Sequence, residues 1–314
     1  MSRTLIVTAV QAEADAVCAG LMGSWSRSRG PSSEVPSAPV SPDWDRQLLT
    51  TSTLGPYVGR RRGPVTVLAA GTGGPAAAAG TAVALAVAAA TGDPFTLVLS
   101  MGVAGGFRGW AEVGDLAVAS RLVAADLGAE SGLEDLREPA GKVHEMDRSL
   151  GFHSTGAPPL PRATSSSADG KFLTLDDLDL GSSTIIPKSG LVERLATVVG
   201  ITGRRVVTGP VLSVATVTGT ELRAATLTAR LDPVAEGMEG YAVGTAAAAF
   251  GVPAGEIRAI SNQVGRRDRA SWNLPAALAS LRTAAGALVA HPDGLLAAAA
   301  DASAADGSRP PVGR

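Results

Sequence analysis

The chain has 314 residues, 45% of them hydrophobic, and its 27 Lys and Arg nearly balance 29 Asp and Glu. That is enough apolar material for the core of one large domain or two small ones, and the balanced charge supplies no broad positive field for nucleic-acid phosphates. A single cysteine, Cys18, and three histidines, His144, His153 and His291, leave no ligands for a Cys-rich metal site and argue against zinc or a Ser-His-Asp machine, so the chemistry must rest on carboxylates and amides.

In chain order, residues 5–10 form a short apolar run followed by an Ala-rich helical stretch, which reads as strand then helix. The run is too short, and too soon followed by Glu13 and Asp15, to be the apolar core of a secretory signal. Residues 23–63, dense in Ser, Pro and Arg, read as a loop insertion. Residues 65–70 are a second strand, and the turn Gly71-Thr72-Gly73-Gly74 leads into a helix over 76–90. That helix is shorter than the roughly 20 apolar residues needed to cross a bilayer, so no membrane partner is expected.

Further apolar runs at 96–100, 115–123, 205–214 and 256–260 read as strands, and 221–231, 238–250 and 274–289 have helical length and spacing. A second insertion, rich in Gly, Pro and Ser, spans 131–183, and residues 293–314 read as a flexible tail. The alternation predicts a single α/β domain over 1–292 with a central mixed β-sheet flanked by helices. With one cysteine and no secretory signal, a cytoplasmic location is expected.

Four segments could carry chemistry. The Gly71 turn either binds an anion through its backbone N–H groups or is a plain tight turn; its GxGxxG spacing is incomplete, which weakens a dinucleotide reading. Ser100-Met101-Gly102-Val103-Ala104-Gly105-Gly106 reads as a glycine-rich turn after a strand, where backbone can approach a ligand closely. Glu239, in Glu236-Gly237-Met238-Glu239-Gly240, opens a helix and is either a cap or a site carboxylate. Ser261 and Asn262 end a strand, as a turn or as a polar contact.

Taken together, the order and spacing of Ala9-Val10-Gln11-Ala12-Glu13, Ala70-Gly71-Thr72-Gly73, Gly102-Val103-Ala104-Gly105-Gly106, Val113-Gly114-Asp115, Gly237-Met238-Glu239 and Arg258-Ala259-Ile260-Ser261-Asn262 resemble the nucleoside phosphorylase and nucleosidase superfamily. The resemblance implies a nucleoside phosphorylase-like fold, a small-molecule nucleoside as substrate, no metal or cofactor, and a homo-oligomer. It also implies roles: Glu239 on the ribose hydroxyls, Met238 against the sugar face, and Glu13 as base toward an attacking water. Gly71, Val103, Ala104, Gly105 and Ser261 would line the substrate. Phosphorylases of this superfamily gather arginines around phosphate, but Ser100 and Met101 stand where one is expected, so water is the expected nucleophile.

Asn262 stands where adenine-specific members carry an aspartate. Its carboxamide can donate to O6 or N7 of a 6-oxopurine, which an ionised carboxylate would repel. Within the superfamily, residues 262–272 and 125–130 are similar to the futalosine hydrolases of menaquinone biosynthesis. That similarity implies release of hypoxanthine from futalosine, with Arg266, Arg267 or Arg269 meeting the distal carboxylate and Trp272 covering the aromatic end. Alternatives are a purine nucleoside phosphorylase, a methylthioadenosine/S-adenosylhomocysteine nucleosidase, and a non-catalytic nucleotide-binding protein. The aromatic expected near Val217 to stack on the purine is missing, with Phe107, Phe152, Phe172 and Tyr241 as candidate replacements.

Overall fold

The computed structural model describes residues 3–23, 48–130 and 172–290. They fall into two compact units, residues 126–183 and the rest.

In the larger unit β1 (Thr4–Thr8) is buried along its whole length and pairs in parallel with β4 (Val65–Ala69) on one side and β5 (Leu97–Gly106) on the other. Continuous burial fits a parallel strand covered on both faces, and the side chains sort by parity. Leu5 and Val7 pack with α2 (Gly74–Ala90) and α5 (Gly240–Ala249). Ile6 packs with α1 (Gln11–Met22), α3 (Leu191–Gly200) and α6 (Leu274–Ala290). Two helical layers thus enclose the sheet, each fully buried Leu or Ile contributing about 1.5–3 kcal/mol.

Beyond β5 the sheet continues through β12 (Ala254–Gln263), β6 (Leu116–Ala124), β10 (Val206–Ser213) and β11 (Ala235–Gly237). The β12–β6 pair is antiparallel while β12–β5 and β10–β6 are parallel, so the sheet is mixed. Short β11 also pairs with the far end of β5, Glu236 opposite Gly105, which closes the strands from β5 to β11 into a ring. The two-residue β9 (Thr184–Ile185) adds to β6, and α4 (Glu221–Leu231) lies between β10 and β11 in sequence. In the smaller unit β7 (Gly128–Glu130) and β8 (Phe172–Thr174) form an antiparallel pair.

Three differences from the sequence reading stand out. Residues 50–62, assigned there to a loop insertion, form a hairpin of β2 (Thr50–Leu54) and β3 (Tyr57–Arg62) turning at Gly55 and extending the sheet edge next to β4. An edge strand exposes much of its length, and its polar composition looks like a loop. The glycine-rich segment after Ser100 is not a turn: β5 runs on to Gly106, because Gly102 to Gly106 pair with β12 and β11. Helix α3 and the short strands β7, β8, β9 and β11 were not anticipated, and β8 lies within the stretch 131–183 read as a loop insertion. The insertion residues 24–47 and 131–171, with His144 and Phe152, and the tail residues 291–314 lie outside the described residues. Among the described residues no helix is long and apolar enough to cross a membrane.

Candidate functional site

The strands β5 and β12 set the site's register, Ser100 lying opposite Glu256, Gly102 opposite Arg258 and Gly105 opposite Asn262. On β12, Glu256, Arg258 and Ile260 share one face, while Ile257 and Ala259 point into the core with α1 and α6. A buried guanidinium is thereby placed beside the glycines of β5, which leave it room. A Cβ at Gly102 would stand 2.6 Å from Arg258 Nη1 and 2.7 Å from Glu13 Oε1.

Glu13 sits in the first turn of α1 and is 4% exposed. The N-cap of the helix is Val10, whose side chain cannot cap, and the Glu13 carboxylate folds back onto the amides at the helix entrance. Its Oε2 accepts from the N–H of Ala9 at 2.9 Å and of Val10 at 3.2 Å, and its Oε1 accepts from the N–H of Val103 at 2.8 Å. Three amides from two elements fix the carboxylate at the carboxyl ends of β1 and β5, the edge where α/β sheets hold ligands.

Glu239 is the N-cap of α5, buried, and Gly73 and Arg258 reach it from other elements. The N–H of Gly73 donates to Oε1 at 3.0 Å, the N–H of Met238 donates to Oε2 at 3.3 Å, and Arg258 Nη1 lies 3.3 Å from Oε2. Gly73 has φ +87°, so the turn aims its amide in a conformation that only glycine adopts freely. The anion met by the Gly73 N–H is the chain's own Glu239 carboxylate, while the Gly71 N–H donates to the Ala9 carbonyl.

Arg258 is the residue that sequence reasoning passed over. It is fully buried, with Nε donating to Glu256 Oε1 at 2.7 Å, Nη2 to Ser100 Oγ at 3.1 Å, and Nη1 facing Glu239. Glu13 adds to the attraction, and the carboxylates around it outweigh the cost of burial and hold the guanidinium more firmly protonated than usual. Burial pushes the Glu256 carboxyl up from its ordinary range, with Arg258 opposing. The available signal was two charges, two residues apart, in a strand otherwise apolar or glycine as far as Ile260.

Asn262 lies at a register shift of β12 over Gly105, whose Cβ would approach Nδ2 to 3.3 Å. Its Nδ2 donates to the Gln263 carbonyl at 3.0 Å and its Oδ1 accepts from Ser261 Oγ at 2.8 Å. Among the described residues one N–H of the amide remains for another acceptor. Ser261 is buried, and its Oγ is also 3.2 Å from the Ala104 carbonyl. Gly71, Val103, Gly105 and Met238 are partly exposed, and Ala104 is buried.

Arg266, Arg267 and Arg269 are not drawn into this cluster. All three are exposed, on the loop after β12 and its short 3-10 turn at Arg269–Ser271. The Arg266 N–H donates to Glu221 Oε1 at 3.2 Å, and the Arg267 guanidinium lies 5.6 Å from the ring of half-exposed Trp272. Among the aromatic candidates, Phe107 is buried in an apolar cluster with Leu212 and Val264, Tyr241 lies in the first turn of α5, and Phe172 belongs to the smaller unit. Among the described residues no group of His, Cys, Asp and Glu is arranged to hold a metal ion.

The profile of the family described as the phosphorylase superfamily matches residues 5–296. A futalosine hydrolase of Streptomyces coelicolor is 41% identical over 223 residues, covering 71% of this chain and 77% of that protein. One from Acidothermus cellulolyticus is 35% identical over 287 residues, covering 91% of this chain and 90% of its own. The fold is similar to that of the 5′-methylthioadenosine/S-adenosylhomocysteine nucleosidase of Neisseria meningitidis solved with methylthio-immucillin-A, at TM-score 0.60 and 14% identity, covering 93% of this chain and all of that one.

Proposed function

Because the chain belongs to the phosphorylase superfamily and, within it, to the futalosine hydrolases, we propose that it hydrolyses the N-glycosidic bond of futalosine, releasing hypoxanthine and dehypoxanthine futalosine in menaquinone biosynthesis. The observation that carries the mechanism is the convergence of Glu13 and Glu239, each held by backbone N–H groups, on the carboxyl ends of adjacent strands.

As the bond to the base breaks, positive charge develops on the sugar and negative charge on the purine. Fixed carboxylates at the sugar and a fixed donor at the base stabilise that separation without reorganising. Glu239 holds the ribose hydroxyls with Met238 against the sugar, and Glu13 takes the proton of the attacking water. The free N–H of Asn262 donates to O6 or N7 of the departing hypoxanthine. Gly71, Val103, Ala104, Gly105 and Ser261 line the substrate, and Arg266, Arg267 or Arg269 meets its distal carboxylate. Water is favoured over phosphate because Arg258, the buried arginine beside the two acids, already has its Nε, Nη1 and Nη2 directed to Glu256, Glu239 and Ser100. The enzyme acts in the cytoplasm as a homo-oligomer.

The test is incubation with futalosine, inosine and methylthioadenosine, with and without phosphate, followed by chromatography of the free base. Hypoxanthine should appear from futalosine at a rate that phosphate does not change. Adenine from methylthioadenosine with nothing from futalosine, or a strict need for phosphate, would overturn the reading.

A further inference from the structure

Glu256 has no part in the reaction described so far, yet it is 0% exposed and lies beside the site. Only one of its oxygens is used: Oε1 accepts from Arg258 Nε, while Oε2 has no hydrogen-bond partner among the described residues. Stability alone does not account for such a group. Replacing a buried ion pair by well-packed apolar residues is often neutral or favourable, and an unpaired buried oxygen adds a cost.

The surroundings show what the carboxylate is positioned against. It rests on Gly240, the first residue of α5, where a Cβ would collide with both oxygens. There the positive end of the helix favours a negative charge. Glu239, the preceding residue, sends its own carboxylate to the other side of the same guanidinium. Arg258 is therefore held at Nε by Glu256 and at Nη2 by Ser100, and these two anchors fix the plane in which Nη1 reaches Glu239. A planar fork held at two points leaves its third nitrogen one direction only.

We propose that Glu256 is a positioning residue: by gripping Arg258 at Nε it aims Nη1 at Glu239 and so sets the orientation of the carboxylate that holds the sugar. Gly240 is the companion requirement, since only a residue without a side chain lets the second carboxylate come this close to the helix start. The proposal rests on the reading of Glu239 as the sugar-binding acid.

The experiment is a double-mutant cycle on purine release, with Glu256→Gln, Glu239→Gln and the double variant. Glutamine keeps the shape and one acceptor but grips the guanidinium without charge. Glu256→Gln alone should lower kcat about 10-fold with KM within about threefold, a loss of the size that small misplacements produce. In the Glu239→Gln background the same change should alter kcat less than about twofold, because a positioning effect has nothing left to position. A full additional loss in that background, or wild-type kcat in the single variant, overturns the proposal. The crystal structure of Glu256→Ala gives a readout free of activity. The guanidinium should turn out of its place between Ser100 and Glu239; finding Nη1 still at its wild-type position overturns the proposal even if futalosine is never cleaved. Absence of base release by the wild-type enzyme would instead overturn the functional reading.

Discussion

At the sugar end of the proposed pocket both oxygens of Glu13 and both of Glu239 are met by backbone N–H groups, and Arg258 adds a charge to the second pair. At the other end, the loop after β12 offers Arg266, Arg267 and Arg269 to solvent, tied down by Glu221 and by the stack of Arg267 on Trp272. The first end is set before any substrate arrives. The second must order its side chains around what it binds, at the entropic cost of each long cation it fixes. Under the proposed mechanism, reaction chemistry falls to rigid strand ends and a helix cap, and recognition of the distal substituent to a loop.

The sharpest way to break this contrast is at Glu239. Glu239→Gln keeps the shape and removes the charge, and should lower kcat about 1,000-fold, read by chromatographic assay of hypoxanthine. Because both oxygens accept hydrogen bonds, its amide nitrogen must face a donor, so calorimetry should also show a lower melting temperature. Gly102→Ala attacks the same end by space alone. The new Cβ would press on Arg258 Nη1 and Glu13 Oε1, and a fall in kcat of about 100-fold is expected. Wild-type kcat in that variant would mean the two groups are not fixed as tightly as their hydrogen bonds imply.

Asn262→Asp tests the base end. The ratio of hypoxanthine release from futalosine to adenine release from methylthioadenosine should fall by about 100-fold, because the carboxylate repels O6 and accepts from a 6-amino group. An unchanged ratio would remove Asn262 from base recognition.

For the loop, Arg266→Ala, Arg267→Ala and Arg269→Ala should each leave kcat intact. Whichever one meets the carboxylate should raise KM for futalosine about fivefold, with no effect on inosine, and the effect should shrink in high salt as exposed charges are screened. The smallest expected effect is a control on the rigid end. Cys18 lies on α1, the helix that carries Glu13, and burial pushes its thiol up from the ordinary range. Iodoacetamide at neutral pH should leave it unlabelled in the wild type and in all three loop variants, labelling it only on unfolding.

Much of the fold was legible because periodicity is local. The run 65–70 became β4, the stretch 221–231 became α4 with its Thr220 cap, and 274–289 became α6. The β2–β3 hairpin was hidden because an edge strand carries no continuous apolar run. Glycines 102–106 were read as a turn because their usual meaning is conformational freedom, whereas here the missing side chains leave room for Arg258 and Asn262 beside a continuing strand.

By itself the sequence determined the residue types available for chemistry and the segments that carry them: two acids, an amide and glycine-rich segments, with few histidines or thiols to compete. Only the tertiary structure decided what those acids touch. Glu13 and Glu239 stand 226 positions apart, and their convergence on Arg258 depends on strand register, on a turn amide from Gly73 and on the start of α5. Hydrogen bonds of this kind are fixed by distances between elements, and such distances leave no periodic trace along the chain.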